Sequence, residues 1–99
     1  MIKALILFGK PRDADLFDEY FLSKHKPLLE IVPNLDRLVV NQIAGTIKGD
    51  SLFRLIAELH FASEEAMLSG LNSEPGQAFA RDFGNFATGG VSVLLATSE

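Results

Sequence analysis

The chain holds 99 residues, 47% hydrophobic and 22% charged, with a formal net charge of −4 and neither cysteine nor tryptophan. This composition excludes a disordered segment, disulfides and thiolate chemistry, and its acidity argues against a nucleic-acid partner bound through phosphates. No apolar run approaches the roughly 20 residues of a membrane-spanning helix, and the start enters a strand-like pattern without signal-peptide character, so one cytoplasmic domain over 1–99, with no membrane partner, is expected.

Ile2-Lys3-Ala4-Leu5-Ile6-Leu7-Phe8 is almost continuously apolar, which suits a central strand covered on both faces better than a helix. Gly9, Lys10 and Pro11 end it. Asp15 is placed to cap a helix whose first turn carries Asp18 and Glu19 and which runs to about Ile31, with Phe17, Phe21 and Leu28 as its buried stripe. Pro27 lacks an N–H and crowds the carbonyl of Ser23, which predicts a kink near His25; Pro33-Asn34 stops the helix. Leu35 to Ala44 reads as a strand with Val39, Asn41 and Ile43 on one face and Leu38, Val40 and Gln42 on the other. Gly45 to Asp50 is a turn.

The next strand alternates most clearly, setting Phe53, Leu55, Ala57, Leu59 and Phe61 against Arg54, Ile56, Glu58 and His60. Ser63 caps a helix that opens Glu64-Glu65 and carries Met67, Leu68 and Leu71. Ser73-Glu74-Pro75 starts a second helical piece with Phe79, Phe83 and Phe86 at i, i+4 and i+7. Gly89-Gly90 breaks it, and Val91 to Thr97 forms the last strand.

The order strand, helix, strand, strand, helix, strand predicts a ferredoxin-like α+β sandwich, βαββαβ, with both helical units on one face of a four-stranded antiparallel sheet. The other face would display Arg54, Ile56, Glu58 and His60, joined by residues such as Ala4, Ile6, Val40 or Val93. An uncovered face that aliphatic predicts a homodimer packed sheet to sheet.

Over nearly its whole length the chain resembles the EthD family, named for ethyl tert-butyl ether degradation and one of the dimeric α+β barrel proteins. The resemblance rests on His25-Lys26-Pro27-Leu28, Pro33-Asn34-Leu35, Val40-Asn41 and Ala57-Glu58-Leu59-His60-Phe61, then on Ser73-Glu74-Pro75-Gly76-Gln77 and on Asp82 with Asn85-Phe86. Two positions depart from it: His60 stands where the family more often has a large aromatic, and an aromatic common near Leu22 is absent. Both alter the lining of a pocket. The resemblance implies a dimeric barrel and cofactor-free acid/base chemistry, as in isomerases, cyclases or monooxygenases, on a small hydrophobic or aromatic compound. A non-catalytic small-molecule binding or accessory protein of a degradation pathway is the alternative it leaves open.

Among individual residues His25 is the candidate proton carrier, because a near-neutral imidazole on an apolar helix face can move a proton at physiological pH. Its structural alternative is a core-edge histidine bonded to the carbonyl that Pro27 frees. Lys24 and Lys26 flank it and would disfavour its protonation if close. Phe21, Leu28, Asn41, Phe83 and Phe86 are the candidate pocket residues. Glu58 and His60, at i and i+2, share a strand face and are candidates for a polar pair at the dimer face. Asp82 and Asn85 are expected in capping or surface roles. Lys10-Pro11-Arg12 reads as a solvated loop, placed where it would serve as a lid or an anion contact. Two histidines and no ligand cluster give no basis for a metal or other cofactor. The same element order occurs in RNA-recognition domains, but Phe53 to Phe61 lacks their aromatic pattern.

Overall fold

Ile2, Ala4, Ile6 and Phe8 are buried along β1 (Ile2–Gly9), and the residues between them are half-buried. One face of this strand therefore meets a core, and the other is left partly open. The computed structural model describes residues 1–50 and 52–98. Its sheet has the order β2 (Arg37–Gln42), β3 (Phe53–Phe61), β1, β4 (Val91–Thr97), every pairing antiparallel. With helices between β1 and β2 and between β3 and β4, this is the ferredoxin-like α+β fold.

The first helical unit departs from the expected one at its start and its middle. Asp13, not Asp15, caps α1 (Ala14–Tyr20), its Oδ1 accepting from the Leu16 N–H at 3.1 Å. Asp15 lies in the first turn, where its charge meets the positive end of the helix, while Asp18 is beyond that turn and pairs with Arg54. The predicted kink takes the form of a π-helical segment, Phe21–His25, closed by the Lys26 N–H reaching back to the Phe21 carbonyl. Pro27 then sits in the first turn of α2 (Lys26–Glu30), where its missing donor costs least. An ideal α-helix has about 3.6 residues per turn, so a spacing of four drifts around it. The wider π turn offsets that drift and keeps Phe17, Phe21, His25 and Leu29 all buried. The stripe thus continues through His25 and Leu29, with Leu28 only half-buried.

The second unit follows the expected caps. Ser63 Oγ accepts from the Ala66 N–H at the start of α3 (Glu64–Asn72), and Ser73 Oγ accepts from the Gly76 N–H at the start of α4 (Glu74–Asp82). A 3₁₀ turn, Phe83–Asn85, carries the chain to Phe86. Where the chain returns to β4 the backbones meet closely: a Cβ on Gly9 would lie 2.2 Å from the Gly89 carbonyl oxygen, so neither glycine tolerates a side chain.

The sheet faces correct one expectation. Ala4 and Ile6 are core residues under the helices, and the register places Val40 and Val93 on the same side. The open face instead carries Lys3, Leu5, Leu7, Val39, Asn41, Ile56, Glu58, His60 and Leu94. Arg54 leaves that set as well. The register along β1 passes from Leu55 to Phe53, so Arg54 has no partner there, and this bulge lets its guanidinium reach Asp18 of α1 on the helical side. β2 is also shorter than Leu35 to Ala44. Asn34, in the left-handed region at φ 67°, ends the preceding segment and ties its side chain to the Ala66 carbonyl. Among the described residues no helix is long and apolar enough to cross a membrane.

Candidate functional site

The π turn delivers His25 into the core with no exposed surface. Its Nδ1 lies 2.8 Å from Oδ2 of Asp82, the last residue of α4. The other carboxylate oxygen of Asp82 accepts from the Tyr20 hydroxyl at 2.6 Å and from the Asn85 side-chain amide at 2.9 Å. Burial pushes the Asp82 carboxyl up, but the bonds from Tyr20, Asn85 and His25 together hold it below the usual range. Asp82 is therefore the anion, and Nδ1 of His25 is the donor. The Tyr20 phenol is raised by donating to Asp82, by partial burial and by the nearby charge.

Nε2 of His25 is buried and has no hydrogen-bond partner. Around the imidazole stand Phe86, Phe83, Phe21 and Phe8, with ring centroids 4.6, 5.3, 5.7 and 5.8 Å away. Burial lowers the histidine's pKa, and the bond and charge of Asp82 only partly offset it. Lys24 and Lys26, expected to disfavour protonation, are not the cause. A neutral ring whose Nδ1 keeps its proton on Asp82 presents a free lone pair at Nε2, which is the arrangement of a general base.

Beside this cluster lies a cavity of about 370 Å³ lined by Arg12, Leu16, Phe17, Tyr20, Phe86 and Thr88, with Asp13 and Asn85. Phe86 belongs to both sites: it walls the cavity and covers His25. On the opposite sheet face a second polar group centres on Glu58, which accepts from Asn41 at 2.8 Å and lies 3.0 Å from Nε2 of His60 and 3.4 Å from Nζ of Lys3. The Asn41 bond, with those of His60 and Lys3, lowers the Glu58 carboxyl against the effect of burial.

No family model matches the chain. A crystal structure of an ethyl tert-butyl ether degradation (EthD) family protein from Bacillus halodurans superposes with a TM-score of 0.93 at 27% identity, covering 100% of this chain and 99% of that one. The chain belongs to the EthD family. An uncharacterized 11.0 kDa protein of the thcB-thcC intergenic region in Rhodococcus erythropolis is 31% identical to this EthD protein over 99 residues, 100% of this chain and 96% of the relative. More distant structures share the fold: hydroxynitrile lyase from Passiflora edulis (TM-score 0.76, 20% identity, 99% and 94% covered) and a dimeric ferredoxin-like protein of unknown function from Thermobifida fusca (0.66, 14%, 98% and 90%).

Within this EthD protein the expected residues divide between the two faces. Phe21, Phe83 and Phe86 surround His25, and Leu28 packs against the same core. Asn41 does not join them; it bonds the Ile56 carbonyl and Glu58 on the open face, with His60. The carbonyl freed by Pro27 is not the partner of His25. Asp82, expected at a cap or the surface, fills that role, and Asn85 supports it. A signal for Asp82 stood in the sequence, because 79, 82, 83 and 86 are spaced i, i+3, i+4, i+7, which puts a carboxylate on the phenylalanine face of one helical piece. Such a carboxylate needs a buried partner. Arg12 belongs to the loop placed to serve as a lid or an anion contact, whereas Tyr20 carried no comparable signal. Among the described residues no group of three or more His, Asp or Glu side chains could hold a metal ion.

Proposed function

We propose that this EthD protein performs cofactor-free acid/base chemistry on a small hydrophobic or aromatic compound, with Nε2 of His25 as the proton acceptor. The observation that supports it is the unpartnered Nε2 of a fully buried imidazole whose other nitrogen is fixed on Asp82. A buried polar atom without a partner is costly and rare in folded proteins, and a catalytic role is one of the explanations for keeping it. When Nε2 takes a proton, Asp82 stabilises the imidazolium formed in place, and Tyr20 and Asn85 keep the carboxylate oriented. The chemistry open to such a base without a redox group is isomerisation, cyclisation or proton-coupled cleavage.

The test follows deuterium incorporation from solvent into a panel of small aromatic ketones and lactones, with wild type, His25→Ala and His25→Gln. General bases contribute about 10²- to 10⁴-fold in rate. His25→Gln keeps hydrogen bonding without titration, so it should lose exchange as His25→Ala does. Exchange by His25→Gln at the wild-type rate would place the imidazole in a binding role. That second reading, a non-catalytic binding or accessory protein, is favoured by the cavity lining, which includes Phe86 but not His25.

The proposal also takes residues 1–99 as a single EthD-like domain and the assembly as a homodimer packed sheet to sheet. The half-buried Leu5, Leu7, Val39 and Ile56 beside the exposed Leu94 support the second point.

A further inference from the structure

We infer that the cavity between the start of α1 and the loop before β4 is the substrate site, and that it takes a single aromatic ring carrying an enolisable carbonyl. The ring would lie against Tyr20 and Phe86, and the oxygen would face Arg12. This rests on the reading of His25 as a base.

Its volume of about 370 Å³ is at the low end of ligand pockets, which span roughly 300–1,000 Å³, and so suits one or two rings. The Tyr20 and Phe86 rings stack with centroids 4.9 Å apart and planes 18° apart, giving the cavity an aromatic wall. Two charged residues, Arg12 and Asp13, line the cavity. Asp13 is engaged by the Leu16 N–H as the cap of α1, whereas Arg12 has no carboxylate partner among the described residues. The Arg12 backbone N–H donates to Oγ1 of Thr88 at 3.0 Å, and the contact between Gly9 and Gly89 fixes the same two loops together. Arg12 is thus an unpaired cation on an anchored backbone.

Proton abstraction next to a carbonyl is assisted by a cation placed at the carbonyl oxygen. Nε2 takes the proton, the C–H electron pair forms the enolate, and the negative charge collects on oxygen, where Arg12 stabilises it. Return of the proton from Nε2 to the same carbon gives exchange or epimerisation, and, where a C=C conjugates with the enolate, its delivery to the γ-carbon gives an isomerisation, in both cases without oxidant or co-reactant. The geometry adds one requirement: Phe86, 4.6 Å from the imidazole and part of the cavity wall, must turn aside for the ring to reach Nε2. Its backbone is held by the Phe86 N–H donating to the Phe83 carbonyl and the Thr88 N–H donating to the Phe86 carbonyl, so the movement is a rotation of the side chain alone.

The probes are 4-nitrophenolate, an enolate mimic whose visible band reports its surroundings, and 4-nitroanisole, the same ring without the anion. Wild type should bind the phenolate about tenfold tighter than the ether. Arg12→Gln should abolish that preference and keep the ether. Leu16→Trp, at an exposed cavity position that leaves the core intact, should weaken both. The preference for the phenolate is set by Arg12, so His25→Gln should keep it even where both affinities change, and a failure of the base role leaves that result standing. Saturation with 4-nitrophenolate should shift the ¹⁵N resonance of His25 Nε2 as Phe86 moves. Equal affinity of wild type for the two probes, an Arg12→Gln variant that keeps the preference, or a Nε2 resonance that stays put overturns the inference.

Discussion

Oδ2 of Asp82 lies 2.8 Å from Nδ1 of His25 across 57 positions of sequence, joining the π turn of the first helical unit to the end of the second. Three donors converge on this carboxylate: the Tyr20 hydroxyl, the Asn85 amide and the His25 ring. An asparagine at 82 would have one acceptor oxygen for them and would point an amide at a donor. Asp82→Asn should therefore cost about 1–3 kcal/mol of stability and release the His25 tautomer, so that ¹⁵N spectra show Nε2–H where wild type shows Nδ1–H. An unchanged tautomer would mean that Asp82 does not orient the ring.

Tyr20 can be read without interference, because the chain has one tyrosine and no tryptophan. Its hydroxyl donates to an ionised carboxylate, so losing the proton would set two negative charges side by side, and its pKa is raised above the ordinary value of 10.0. Ultraviolet titration should find the phenolate appearing above that value in wild type and closer to it in Asp82→Asn. A wild-type midpoint at or below the ordinary value contradicts the contact.

The succession of strands and helices along the chain and the helix starts at Ser63 and Ser73 follow from local pattern, since periodicity and capping chemistry act within a few residues. His25 was legible through its neighbours, an apolar face and Pro27. Its pairing with Asp82 was not, because a contact between two helical units depends on how both pack on the sheet, which no local pattern states. Arg54 was misplaced for a related reason: strict alternation sends it to the open face, and only the β1 register reveals the bulge that turns it toward Asp18. The π turn was half legible. A kink near His25 follows from local chemistry at Pro27, whereas its form as one wide turn follows from burying Phe17, Phe21, His25 and Leu29 together.

The open sheet face should assemble two copies. Leu94 is 49% exposed there and pairs with Leu5 of β1, so a charge at 94 leaves the single-copy core untouched but lies in the aliphatic patch. Sedimentation equilibrium at micromolar concentration should give twice the chain mass for wild type and the chain mass for Leu94→Glu. A wild-type monomer would remove the sheet-to-sheet dimer.

Acid should unfold the protein in two stages, and the sign follows from the direction of each shift. His25 has a folded pKa below its ordinary value of 6.5, so below that value the unfolded chain binds a proton that the folded one refuses. Its contribution is complete above pH 6.5 and is lost as pH falls from there through the folded value, at up to about 1.4 kcal/mol per pH unit for one proton. Glu58 and Asp82 are also depressed, from 4.5 and 3.8, so their contributions persist lower and fade only as pH drops below those values through the folded ones. Denaturant unfolding measured across this range should show stability level above 6.5, a first decline below it, and a steeper one in the carboxylate range. His25→Gln cannot titrate, so it should flatten the first decline and leave the second. Glu58→Gln, on the opposite sheet face and without contact to His25, should soften the second and leave the first. A His25→Gln variant that retains the full first decline would assign that proton to another group and remove the buried neutral imidazole on which the proposed base depends.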